Sequence, residues 1–93
     1  MYYALFYDTV PDYLERRTPF RQAHLAHAER AHKEGKLILA GAYAHPADGA
    51  LFVFRAGDSA EVSEFARNDP YVVNGIVSSW RVREWTVVIG GEQ

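Results

Sequence analysis

An imidazole and a carboxylate from distant stretches of a short chain are the minimum equipment for moving a proton. This sequence offers both. His24 stands in Arg21-Gln22-Ala23-His24-Leu25, and Asp69 in Asn68-Asp69-Pro70-Tyr71. An imidazole changes charge at roughly pH 6.5, which suits it to general acid–base work near neutrality. A carboxylate bonded to one ring nitrogen fixes the tautomer. Each residue also has an ordinary explanation. A histidine at a helix–sheet contact can be purely structural, and an aspartate ahead of a helix-starting proline is a common N-cap. The two roles are compatible for Asp69, because a capped aspartate is also a held one. Asp8, at the end of an apolar run, either adds a carboxylate to the site or ends a strand in water.

Three of the four histidines, His24, His27 and His32, fall in the same helical stretch. His24 and His27 are spaced to share a face. The chain has no His-Glu-x-x-His motif and no cysteine cluster, so the pair is a weak metal signal. Hydrogen-bonded or solvated roles account for His27 and His32 more simply. His45, beside Pro46, reads as a turn residue. No metal and no other cofactor is expected.

The elements that must position these residues are legible from period and punctuation. Tyr2 to Asp8 is apolar on both alternating faces, as for a strand buried on both sides. Asp12 to Arg17 suggests a short helical turn. Thr18-Pro19 marks a helix start, with a hydroxyl to cap and a proline at the first position. That helix should run to about Glu34 and close at Gly35, with Ala23, Ala26, Ala28, Ala31 and Leu25 letting it lie close on a sheet. Leu37 to Tyr43 and Ala50 to Arg55 read as a hairpin joined by the turn residues of His45 to Gly49. Asp58 or Ser59 can cap a helix to about Arg67 whose apolar side is Ala60, Val62, Phe65 and Ala66. A further turn spans Tyr71 to Asn74.

The last strand is expected over Val77 to Ile89, and its pattern is irregular. Trp80 and Val82 share one face, whereas Trp85, Val87 and Ile89 fall on the other. Either a bulge near Arg83-Glu84 switches the buried face, or the two faces cover different cores, one of them in a partner subunit. The element order β-α-β-β-α-β is that of an α+β, ferredoxin-like fold with a four-stranded antiparallel sheet.

Composition bounds the functional classes. The 93 residues make one domain, 1–93, with no repeat or linker. A chain this short buries only about 60–65% of its unfolded surface. It has no cysteine, so added stability must come from packing or from a homodimer. Ten basic and twelve acidic residues, with no basic stripe, argue against nucleic acid as a partner. No apolar run approaches the roughly 20 residues that cross a bilayer, and the N-terminus reads as a strand, not a signal peptide. A cytoplasmic protein with no membrane partner is the expectation.

Taken in order, Arg21-x-x-His24-Leu25, Gly35-x-Leu37, Ala40-Gly41, a strand starting at Gly49, Asp69-Pro70-Tyr71 and Gly75 resemble the YCII-related family of the dimeric α/β barrel superfamily. The resemblance spans nearly the whole chain. Each motif is short, so the specificity lies in their succession. It implies a ferredoxin-like domain whose sheet packs on that of a second subunit, and a cleft built on a histidine–aspartate pair. By matching position, these are His24 and Asp69. The superfamily includes muconolactone isomerases, chlorohydroquinone dehydrochlorinase-like enzymes, metal-free monooxygenases and haem-binding members. No haem-ligand pattern is present. The Tyr43-Ala44-His45-Pro46-Ala47-Asp48 hairpin departs from the short Gly-Pro-rich turn expected of the family, and it stands where the rim of the cleft would be.

Two functions fit these residues. One is a small-molecule enzyme, a lyase or isomerase working without a metal. There His24 moves a proton and Asp69 orients it, during isomerisation, elimination or dehydrohalogenation of a cyclic or aromatic metabolite. Tyr7, Phe52, Phe54 and Tyr71 would supply the apolar walls of its cleft, and Arg21 would receive a carboxylate or phenolate. The other is a non-catalytic ligand-binding or interaction module on the same dimeric fold. Histidine as a phosphoryl acceptor ranks last, because no glycine-rich phosphate loop is present.

Overall fold

The computed structural model describes residues 1–91. The elements follow in the order β1 (Tyr2–Thr9), α1 (Tyr13–Arg16), a 3-10 turn (Thr18–Phe20), α2 (Arg21–Lys33), β2 (Leu37–Ala42), β3 (Gly49–Arg55), α3 (Ser59–Asn68), α4 (Pro70–Val73) and β4 (Val77–Trp85). The strands form one antiparallel sheet in the order β2-β3-β1-β4, so the fold is the expected α+β, ferredoxin-like one.

Alternation sets which residues meet. Across β1, Tyr3, Leu5 and Tyr7 face Phe54, Phe52 and Ala50 of β3 and Glu84, Val82 and Trp80 of β4. With Val62, Phe65, Ala66, Tyr71 and Ile76 from the helical side, Tyr3, Leu5, Tyr7, Phe52 and Phe54 make the core. Ala4 and Phe6 point the other way, opposite Val53 and Leu51, onto a face that carries no helix.

Helix starts and stops follow local chemistry, with one departure. The Asp58 side chain accepts from the Glu61 backbone N–H and caps α3. Gly35 closes α2 at φ +80°. Thr18 does not cap, however: the chain enters α2 through the 3-10 turn, and neither start has a side-chain cap. The side of α2 turned inward also differs from expectation. His24, His27, Ala28 and Ala31 are the residues drawn out of solvent, whereas Ala23, Ala26 and Leu25 stay exposed. Positions 24, 27, 28 and 31 form one helical stripe, so the histidines occupy the inner face. The alanines at 23 and 26 lie off it.

The irregularity of β4 resolves by length. β4 ends at Trp85, opposite Tyr2 at the start of β1, its neighbour in the described sheet. Val87 and Ile89 lie beyond the ladder, so no face change occurs near Arg83-Glu84. The register break sits at the other end, where Thr9 pairs with Val77 and Asp8 with Ser79. Trp80 and Val82 pack on the core side, and Trp85 lies on the uncovered face.

Candidate active site

Asp69 is fully buried, and it is the one buried charged residue of the described chain. Burying a carboxylate is costly unless donors surround it. Three do. Tyr71 N–H donates to Oδ1 at 2.9 Å, as expected for an aspartate capping α4. The Tyr7 hydroxyl donates to Oδ2 at 2.7 Å. His24 Nδ1 lies 2.9 Å from Oδ1 and 3.0 Å from Oδ2. An ionised carboxylate only accepts, so this contact puts a proton on Nδ1. Nε2 is then the nitrogen left for a ligand.

Aromatic rings hold the imidazole flat. Tyr71 stacks on His24 with ring centres 3.9 Å apart and planes 6° from parallel, while Phe52 meets it edge-on at 6.2 Å. Phe52 in turn packs against Tyr7 at 4.7 Å. Only 13% of the His24 side chain remains exposed. The ring therefore has one fixed orientation, set by β1, β3 and α4 at once.

His24 borders a cavity of about 260 Å³ between α1, α2 and the sheet, whose lining includes Tyr7, Arg21, Phe52 and Tyr71. Of the residues expected there, Phe54 does not join it. It lies further along β3, packs on Phe65, and borders a second depression with His27 and Lys36. Tyr7 is present, but its hydroxyl is committed to Asp69 and is not offered to a ligand. Asp8 points to the opposite face, where it accepts from Ser79 Oγ at 2.9 Å. His27 and His32 bond to the carbonyls of Phe65 and Leu37 at 2.8 and 2.7 Å, so both are structural. His45 holds its turn at φ 54°. Among the described residues, no three His, Cys, Asp or Glu side chains converge as metal ligands.

The sequence did not mark Thr9, Tyr13 and Arg17 as site residues, yet all three line the cavity. Arg17 donates to the Tyr13 hydroxyl at 3.1 Å and covers its ring, and Tyr13 meets Tyr71 edge-on at 6.1 Å. The available signal was the placement of Tyr13, Arg17 and Arg21 four residues apart along a mostly helical stretch.

Burial, then the charge of Asp69 and the bond to it, pushes the Tyr7 phenol far above its ordinary value. It remains a donor throughout the neutral range. Burial and Tyr13 raise the Tyr71 phenol as well, with Arg17 and Arg21 opposing them.

Residues 1–86 match the family described as the YCII-related domain. The chain belongs to the YCII-related family. An uncharacterised Haemophilus influenzae protein is 27% identical to this YCII-related chain, over 95% of the chain and 99% of that protein. An Emericella nidulans protein named derivative of benzaldehyde biosynthesis cluster protein C is 39% identical, over 70% of the chain and 76% of its own length. Among solved structures, the 5-chloro-2-hydroxyhydroquinone dehydrochlorinase of Burkholderia phenoliruptrix, in complex with 2,5-dihydroxybenzoquinone, shares the fold with a TM-score of 0.79. Its identity is 23%, over 92% of this chain and 94% of that one. No helix of the described residues is long and apolar enough to cross a membrane.

Proposed function

We propose that this YCII-related protein is a small-molecule enzyme in which His24 transfers a proton and Asp69 holds it in place. The observation that carries the reading is the doubly constrained imidazole: Nδ1 is bonded to a buried carboxylate, and the ring is stacked on Tyr71 at the wall of a cavity. Nε2 takes a proton from a carbon next to a carbonyl, leaving an enolate. If the proton returns at another carbon, the reaction is an isomerisation. If a halide on the neighbouring carbon departs with its electron pair, the reaction is an elimination. In the isomerisation His24 gives the proton back as an acid, and in the elimination it passes the proton to solvent; in both, Asp69 keeps the tautomer. The fold shared with a dehydrochlorinase motivates testing elimination first.

A cavity of about 260 Å³ has room for a single-ring metabolite, though it is smaller than a typical drug-sized pocket of roughly 300–1,000 Å³. The proposed working unit is a homodimer, with the small molecule in the cleft of each protomer.

Chloride release from chlorinated hydroxyhydroquinones, with double-bond migration in unsaturated lactones as the second assay, tests the reading. His24→Ala and Asp69→Asn should each lower kcat by roughly 10²–10⁴ if proton transfer limits the rate. Turnover equal to wild type in both variants refutes the mechanism.

A further inference from the structure

Two polar atoms of the cavity-lining residues are buried without a hydrogen-bond partner: the Tyr71 hydroxyl and Thr9 Oγ1. Buried hydroxyls are normally bonded, and each exception calls for an explanation. Tyr71 is 97% buried (3% exposed), and its ring edge lies beside that of His24 along the same cavity wall. Two guanidiniums, Arg17 and Arg21, border the cavity too, and no carboxylate of the described residues pairs with either. Arg21 is close enough to act on the Tyr71 hydroxyl, although no well-formed hydrogen bond joins them. The cavity therefore combines two hydroxyls free to donate with two cations that no carboxylate neutralises. An anionic oxygen would serve all four.

We infer that the Tyr71 end of the cavity is a binding site for an anionic oxygen, so that the substrate is a ring compound carrying a carboxylate or an ionised ring hydroxyl. The anion accepts from the Tyr71 hydroxyl, whose high affinity for its proton keeps it a donor, and it is drawn in by Arg17 and Arg21. Thr9 supplies a second unpartnered hydroxyl among the lining residues. Arginine suits the task because its fork of N–H groups matches a carboxylate in two bonds. The inference rests on the same cavity as the proton-transfer reading, and it adds the Tyr71 hydroxyl and Arg17 to the carboxylate or phenolate contact expected at Arg21.

Binding of small probes separates the two. Benzoate and benzamide are near-isosteres that differ in charge, and 4-nitrophenolate and nitrobenzene do the same for the phenolate source. Titration by NMR into wild-type protein should show one anion bound at least about tenfold more tightly than its neutral counterpart. The stronger pair identifies the source. Tyr71→Phe and the double variant Arg17→Met/Arg21→Met should each reduce that preference about tenfold. In His24→Gln the preference should persist, which separates this site from an anion held by a protonated imidazole. Equal binding of both members of each pair overturns the inference. So does a preference that survives in both the Tyr71 and the arginine variants, or one that vanishes with His24. None of these results bears on whether His24 transfers a proton, and an inactive His24→Ala leaves the anion site standing.

Discussion

The Tyr7 hydroxyl shows how much one side chain can carry. It rises from β1 to Oδ2 of Asp69, so removing it leaves a buried carboxylate short of one donor. Tyr7→Phe should cost roughly 1–3 kcal/mol, the range for a buried polar group deprived of its partner, measured by urea unfolding. The same variant should change the alkaline limb of stability. The folded protein keeps a phenol proton that the unfolded chain releases near about pH 10. The stabilisation is therefore complete below that pH and is lost as the pH rises above it. In wild type the free energy of unfolding should fall by up to about 1.4 kcal/mol per pH unit from this group. Tyr7→Phe should lose that share of the slope, while slopes in both proteins stay equal below pH 9 or so. Matching slopes above pH 10 would contradict the assigned burial. The contact itself was not legible in the sequence. Tyr7 and Asp69 are 62 residues apart, and nothing in a strand's alternation says which hydroxyl meets which carboxylate.

Among the elements, the sequence was most informative where local chemistry decides the outcome. The Asp58 cap, the Gly35 close and the Asp69-Pro70 start of α4 are all set within a few residues, and all appear as read. Two features set by distant partners were misread. β4 ends at Trp85, opposite Tyr2 at the start of β1, and the inner stripe of α2 is polar because His24 and His27 find partners at Asp69, ahead of α4, and at the Phe65 carbonyl of α3. A count of alanines could not reveal those partners. Gly49 ties this scale to function. A Cβ there would collide with the Tyr7 carbonyl oxygen and the ring of Tyr43, in the first residue of β3 and opposite Asp8. Gly49→Ala should destabilise by roughly 1–3 kcal/mol, the usual cost of overpacking. It should also broaden the His24 ring resonances by shifting β1 beneath the site. Asp58→Ala is the contrasting case. It should cost about 1 kcal/mol through the lost cap and leave the His24 resonances unchanged, because α3 begins far from the imidazole in sequence and shares no bond with it. Comparing the two variants by thermal melts and by NMR separates general destabilisation from damage at the site.

For the molecule as a whole, the sheet is covered on one side only. Both long helices lie on the side of Tyr7 and Phe52, so the other side presents Ala4 and Phe6 of β1, Leu51 and Val53 of β3, Leu39 of β2 and Trp85 of β4. Leu39 is 61% exposed and Trp85 49%, values that place large apolar side chains in water if the chain stays single. Arg81 reaches from β4 over the Phe6 ring at 4.5 Å, so this face carries a guanidinium among its apolar side chains. A stable interface takes about 800 Å² from each partner, and a four-stranded sheet face is of that order. The proposed homodimer would pack two such faces together. Sedimentation velocity should then give a single dimer boundary at micromolar concentration. Leu39→Lys and Trp85→Glu make the sharper test. Both side chains are exposed in the isolated chain, so these changes cost the protomer itself little, yet each would bury a charge in a face-to-face pair. Each should shift the boundary to monomer while far-ultraviolet circular dichroism keeps the α+β signature. A wild-type monomer would refute the dimer, and variants that sediment like a wild-type dimer would place the interface elsewhere. The histidine–aspartate pair lies wholly within one chain, across the sheet from this face. Monomeric variants should therefore retain the Nδ1–Asp69 bond, seen as a downfield imidazole proton. Any loss of turnover in them would trace to the shape of the cleft and not to the proton relay.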